Sequence, residues 1–185
     1  MILSVKERGE FVATMRYVHV WLMETLAAWV PTTPEMEVKL LFGEHIWDAA
    51  QHADALGKRA FELRLPLQHS LRPVDSYASL LSELAAIGPT PQRIAAVYDV
   101  LLAAVAARYR RYLAETDALL DAPTVRILER HLHDIARMVE ASRALRQELP
   151  ALDMKDRNWA EALRGRESAI ERVVSSPDKA SPVEA

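Results

Sequence analysis

The sequence contains no cysteine and only five glycines among its 185 residues. Without cysteine the chain can form neither a disulfide nor a thiolate metal site, and it offers no thiol nucleophile. The low glycine content excludes collagen-like and low-complexity chains and argues against an all-β fold. Long stretches are instead rich in alanine, leucine, arginine and glutamate, so we expect a helical protein.

The sequence also lacks an excess of basic charge and a long apolar run. Its formal net charge is −3, whereas phosphate binding needs clustered lysine and arginine, so we expect no nucleic-acid partner. The longest apolar run, residues 94–107, is interrupted by Tyr98 and Asp99 and is too short to span a bilayer. The first ten residues carry charges that a signal peptide would not. We therefore expect a soluble, cytoplasmic protein without a membrane partner.

Helix start signals and prolines divide the chain into helical segments. The first segment begins with a capping box formed by Ser4 and Glu7. The second begins with Thr33 as its N-cap and Pro34 in its first turn, since proline fits the first turn of a helix but not its interior. The predicted helices cover residues 4–30, 34–65, 75–87, 91–120, 123–149 and 155–174.

This order of helices predicts an all-α fold with two long helical hairpins. A long crossover over residues 66–90, which carries a short helix, joins the second long helix to the third. One long crossover in a four-helix bundle gives the ferritin-like topology. We expect residues 1–150 to form this bundle and residues 151–185 to form a short helix followed by a disordered C-terminal tail.

The second and fourth long helices share the pattern H-[IL]-x-D-x-A. It begins at His45 and Asp48 in one helix and at His131 and Asp134 in the other, and His52 follows on the stripe of His45. A pseudo-two-fold bundle places matching positions of these helices opposite each other, and residues seven apart share one helix face. The pattern therefore predicts a cluster of histidine and aspartate in the core.

Two stretches resemble helices of bacterial ferritin-like proteins. Residues 39–64 resemble the second helix of that family, and residues 121–138 resemble the start and middle of its fourth helix. The resemblance covers residues 10–148. In the di-metal members, helices 2 and 4 each supply a Glu-x-x-His motif and helices 1 and 3 each supply a glutamate. The resemblance thus implies a set of ligands for iron or manganese. In the di-metal members these metal ions activate oxygen.

The sequence departs from the family at these ligand positions. It contains no Glu-x-x-His, and alignment on Asp48 and Asp134 puts Ala49 and Ile135 where the family has glutamates. A di-iron centre needs about four carboxylates to balance two dications in a core of low dielectric constant. We therefore expect that the standard di-iron site is lost, and that iron or manganese binds only through an atypical set of ligands.

Three hypotheses for the polar core stay open at this point. The histidines and aspartates could be structural pairs that satisfy one another between helices. They could instead form a pocket in which His45 or His131 is a general base oriented by Asp48 or Asp134, because histidine titrates near neutral pH. They could also form a mononuclear metal site. The candidate residues for binding a ligand in the pocket are His52, Glu24, Tyr109 and Arg108.

The predicted function follows the second hypothesis. We expect a divergent ferritin-like protein that uses its residual core to bind or act on a small organic molecule, in the setting of a biosynthetic pathway. The alternatives are a non-catalytic helical module that pairs with another protein or forms a homodimer, and a metal-dependent oxidase with atypical ligands. In the last case the metal would be held by His45, His52, His131 and a nearby aspartate.

Overall fold

The computed structural model describes residues 3–154 and 156–175, and all regular structure in those ranges is helical. The prediction of an all-α protein is therefore confirmed for this part of the chain. The helices are α1 (Val5–Trp29), α2 (Met36–Glu62), α3 (Asp75–Ala85), α4 (Thr90–Ile94), α5 (Leu102–Glu115), α6 (Ala122–Glu148) and α7 (Arg157–Ser168). Short 3-10 turns follow α1 and α6.

The predicted capping box at the start of α1 is confirmed. The amide of Glu7 donates to the Ser4 hydroxyl at 3.2 Å, and the amide of Ser4 donates to the Glu7 carboxylate at 2.7 Å. The predicted N-cap of the second helix is wrong, because α2 begins at Met36 and the Thr33 hydroxyl donates backwards to the carbonyl of Trp29. Thr33 thus closes the end of α1 instead of opening α2.

A long helical stretch from Thr90 to Glu115 contains a segment that the sequence analysis did not foresee. Residues Ala95–Leu101 form a π-helix between α4 and α5, and the amide of Leu102 reaches back five residues to the carbonyl of Val97. Such wide turns are rare and are often found at functional sites. The stretch also ends at Glu115, five residues before the predicted end. The Asp117 carboxylate there accepts the amides of Leu119 and Leu120, which turns the chain.

The long helices meet at one end of the molecule around a buried carboxylate. Arg59, near the end of α2, donates to Asp121 at 2.9 Å, and Tyr112, near the end of α5, donates to it at 2.6 Å. Thr124 and Thr116 complete its partners. Burial opposes the charge of Asp121, but these hydrogen bonds together outweigh it and lower the pKa of the carboxyl group.

A second network joins the C-terminal end of α1 to the N-terminal end of the Thr90–Glu115 stretch. The buried guanidinium of Arg93 donates to the carbonyl of Ile87 at 2.8 Å and to the Thr33 hydroxyl at 3.1 Å, and it lies 5.2 Å from the ring centre of Trp29. Between the two networks, the apolar stripe of α1 packs into the core through Met15, Val18 and other fully buried residues. The Thr90–Glu115 stretch is thereby held at both of its ends.

The C-terminal residues pack against this core. Helix α7 lies against the π-helical segment, Arg166 pairs with Glu83 at 2.6 Å, and the amide of Val74 donates to the carbonyl of Val173. The predicted disordered tail falls largely on residues 176–185, which lie outside the described residues. Among the helices that are described, none is both long enough and apolar enough to cross a membrane.

Helix α2 ends at Glu62, three residues before the predicted end, in a Schellman motif. The amide of Leu65 donates to the carbonyl of Ala60, and Arg64 takes a left-handed conformation with φ of 70°. Glycine normally occupies this position because a side chain is strained there. Pro66 explains the early end, since it disfavours a helical conformation in the residue before it.

We predict that Arg64→Gly stabilises the protein by about 0.5–1 kcal/mol, because glycine removes the strain of the left-handed conformation. Urea unfolding at pH 7 measures the change. Arg64→Ala is the matched control: it removes the same exposed side chain but keeps a Cβ, so it should bring no gain. Equal stabilisation by both substitutions would contradict the explanation.

We predict that Asp121→Asn destabilises the protein by about 3 kcal/mol, because it leaves the buried guanidinium of Arg59 without its counter-charge. The control is Glu62→Gln, which removes the exposed partner of the same arginine and should cost less than about 1 kcal/mol. Both values come from urea unfolding. A similar loss in the two variants would show that burial of Asp121 does not matter.

Candidate functional site

Three histidines from three different helices converge in the core. His19 lies on α1, His52 on α2 and His131 on α6, and each is at most 2% exposed. One ring nitrogen of each lies within 4.8 Å of one nitrogen of the others. The rings of His52 and His131 are stacked with centres 3.9 Å apart, and the His19 ring stands edge-on to His52 at 4.8 Å. We call these residues the three-histidine cluster.

Two polar side chains orient the cluster from outside. The Nε2 atom of His52 donates to the Asp134 carboxylate at 3.2 Å, because a carboxylate can only accept. The Nε2 atom of His19 hydrogen-bonds the Tyr109 hydroxyl at 2.7 Å. The bond to Asp134 puts the His52 proton on Nε2, so the Nδ1 atom of the neutral ring carries a free lone pair.

One nitrogen of each histidine has no partner among the described residues. The Nδ1 atoms of His19, His52 and His131 are all buried, and no described residue hydrogen-bonds them. An unsatisfied buried polar atom costs about 1–3 kcal/mol. Each of the three histidines carries one such atom, and a ligand that bound it would remove this cost.

Burial keeps the imidazoles neutral. It lowers the pKa of His131 to about 2, with a further contribution from His52, and it lowers the pKa of His19 well below the usual value. The pKa of His52 is also lowered by burial, although the bond to Asp134 opposes the shift. Neutral imidazoles are the form that binds metal ions.

A cleft between α2 and α6 reaches the cluster from the surface. It has a volume of about 380 Å³, and we call it the α2–α6 cleft. Its lining residues are Gln51, His52, Asp54, Ala55, Lys58, Arg126, Ile127, Arg130, His131 and Asp134. His52 and His131 thus form part of the inner wall of the cleft, whereas His19 does not line it.

The structure places His45 in a separate polar group. Its Nδ1 atom hydrogen-bonds the hydroxyl of Tyr98, in the π-helical segment, at 2.7 Å. The neighbouring carboxylates of Glu44 and Asp48 are bound by Arg137 at 2.8 and 2.7 Å. Because the Arg137 guanidinium already binds both carboxylates, a cation would have to compete with it for these ligands.

The predicted site residues thus divide into two sets. His52, His131, Asp134 and Tyr109 do come together, while His45 and Asp48 precede His52 on α2 by about two turns and about one turn. Neither proposed pairing of a base with its orienting aspartate occurs, because His45 is bonded to Tyr98 and Asp134 to His52.

Glu24 and Arg108 do not contact the cluster. Glu24 is exposed on α1. Arg108 forms an ion pair with Glu167 and donates to the carbonyl of Ile170, so it holds the C-terminal residues against the core. The Arg108 guanidinium also lies 5.1 Å from the ring centre of Tyr77.

The sequence analysis missed His19. The candidate that the sequence offered on the first helix was Glu24. His19 follows Met15 by four residues and precedes Leu22 by three, so it lies on the apolar stripe of α1. A polar residue on such an apolar stripe indicates a buried polar group, and this pattern could have identified His19 from the sequence.

No protein-family model, curated protein or solved structure matches the chain. We therefore infer its function from the geometry of the chain's own residues. Three convergent neutral imidazoles can hold one divalent ion and leave a further coordination position open, as catalytic sites with three protein ligands do.

We predict that protein stability falls as the pH is lowered from about 6.5 to 4, in part because of His45. Burial lowers the pKa of His45 to about 4. Below about pH 6.5 the unfolded chain therefore binds a proton at this residue that the folded chain does not bind. The loss from this residue is on the order of 3 kcal/mol at pH 4. Urea unfolding at several pH values measures it.

His45→Gln should reduce the slope of the unfolding free energy against pH in this range by an amount that corresponds to close to one bound proton. His133→Gln is the matched control, because His133 is exposed on α6 and its removal should leave the slope unchanged. If the two variants behave alike, the buried neutral state of His45 is not the cause of the acid sensitivity.

Proposed function

We propose that this protein binds one divalent transition-metal ion between His19, His52 and His131. The observation that carries the proposal is the convergence of three buried imidazoles: one ring nitrogen of each lies within 4.8 Å of one nitrogen of the others, and no described residue hydrogen-bonds any of the three Nδ1 atoms. Metal ions bind the neutral form of histidine, and burial maintains that form here. Of the three hypotheses open from the sequence, the geometry favours the mononuclear metal site, with His19 in the place of His45.

The outer hydrogen bonds support the proposal independently. Histidines that bind metal usually donate their other ring nitrogen to a carboxylate or a similar acceptor, which fixes the tautomer and the ring orientation. His52 has this arrangement with Asp134. Metal binding at Nδ1 of His19 would place its proton on Nε2, where the Tyr109 hydroxyl accepts it.

The ligand set favours particular ions. Imidazole nitrogens suit zinc, copper, nickel and ferrous iron, whereas calcium and magnesium prefer oxygen ligands. Three neutral ligands leave the double charge of the ion largely uncompensated, and the Asp134 carboxylate behind His52 is the nearest negative group in this arrangement. The bound ion would supply Lewis-acid chemistry to a small molecule that reaches it through the α2–α6 cleft.

We also propose that the fold is a divergent ferritin-like bundle. The order of two long hairpins joined by a crossover that carries α3 supports this, as does the placement of the polar cluster between the long helices. On this view a mononuclear site occupies the core where the di-metal relatives have their carboxylates. Homodimer formation stays a prediction, and the exposed apolar residues of α2 that would favour it are Met36, Leu40 and Trp47.

We predict that the metal-free protein binds one equivalent of Zn²⁺ or Co²⁺. Isothermal titration measures Zn²⁺ affinity, and the visible spectrum of Co²⁺ reports its coordination. Replacement of any one of His19, His52 and His131 with glutamine should weaken binding more than the loss of an outer hydrogen bond, which typically costs about 10–100-fold. The ion should also raise the melting temperature, since it binds only the folded state.

Two sets of controls keep this test interpretable. His133→Gln alters an exposed histidine on the same helix as His131 and should leave the affinity unchanged. Tyr109→Phe and Asp134→Asn keep all three imidazoles and should weaken binding by about tenfold, even if a histidine variant fails to fold. A protein that binds no ion, or one whose affinity is the same in every variant, would refute the proposed function.

A further inference from the structure

The α2–α6 cleft has an excess of positive charge at its lining. Lys58, Arg126 and Arg130 outnumber the two carboxylates, Asp54 and Asp134. Both carboxylates already have partners: Asp54 accepts from Lys58 at 2.6 Å, and Asp134 accepts from His52. Lys58 and Asp54 cancel each other, His52 is neutral, and the two arginines together still exceed the single charge of Asp134.

The two arginines are free to meet a ligand. Both lie on the exposed side of α6, one helical turn apart. Arg126 forms no ion pair with any described residue, and the only carboxylate near Arg130 is Asp134, at 3.9 Å. Neither guanidinium is thus held in a strong pair that an incoming anion would have to break.

The inner end of the cleft requires negative charge as well. His52 and His131 line it, and their buried Nδ1 atoms have no described partner. An ion held by three neutral imidazoles keeps its full double charge unless the fourth ligand is an anion. The chemistry at the bottom of the cleft and the charge at its mouth therefore select the same kind of molecule.

We propose that the natural ligand of the metal site is a small carboxylate anion that enters through the α2–α6 cleft and binds the ion through an oxygen. This inference rests on the proposed metal site and adds the class of its ligand. Arg126 and Arg130 attract the anion and hold its outer part, while the ion binds its carboxylate. Neither arginine is one of the three proposed metal ligands, and the positive charge of Arg130 lies near His52 and His131, so removal of the two charges should weaken binding of the anion without weakening binding of the metal.

The test uses the full chain loaded with Co²⁺, with acetate and then succinate as probes at constant ionic strength set by perchlorate. Each probe should change the visible spectrum of Co²⁺ in a saturable manner. The double variant Arg126→Gln/Arg130→Gln should bind succinate roughly five- to tenfold more weakly, since exposed charges contribute modestly, and should bind Co²⁺ no more weakly than the unaltered protein. The control is Arg143→Gln, an exposed arginine of α6 that does not line the cleft.

The outcomes separate the two proposals. If Co²⁺ binds but no carboxylate changes its spectrum, the anion inference fails and the metal site stands. If a carboxylate binds equally well to the double variant and to Arg143→Gln, the cleft does not select the ligand and the inference also fails. If Co²⁺ itself does not bind, the proposed function fails and the inference falls with it. Spectral titration that depends on the two cleft arginines supports both.

Discussion

The central constraint on this structure is that three buried imidazoles lie close together in its core. Each ring must be neutral there, because burial opposes its protonation and each protonated ring would repel the others. Hydrogen bonds to Tyr109 and Asp134 satisfy the Nε2 atoms of His19 and His52, but the Nδ1 atoms of all three histidines have no partner in the described residues. An arrangement that costs this much stability is typical of a site with a ligand.

Two polar networks fix the helices that carry the three histidines, α1, α2 and α6, to the rest of the fold. The buried Asp121 ties the end of α2 to the end of α5 and the start of α6. The buried Arg93 does the same between α1 and the start of the Thr90–Glu115 stretch. Both networks are satisfied polar clusters in the core, unlike the three-histidine cluster that lies between them.

Much of the architecture could be predicted from the sequence, because local rules decide it. The capping box at Ser4, the prolines and the apolar periodicity located the long helices and the short helix of the crossover. Features set by long-range contacts could not be predicted: the π-helical segment beside His45, the left-handed Arg64, and the reversal of Thr33 toward Trp29. For the site, the pattern shared by two helices brought out His52, His131 and Asp134, whereas His19 has no counterpart in that pattern.

The most direct test of the account is anomalous diffraction from crystals of the protein soaked with Co²⁺. We predict one cobalt ion in the core, at about 2.0–2.2 Å from one nitrogen each of His19, His52 and His131, with Asp134 still bonded to His52. A structure in which cobalt is absent from the core, or is held by Glu44, His45 and Asp48 instead, would contradict the account.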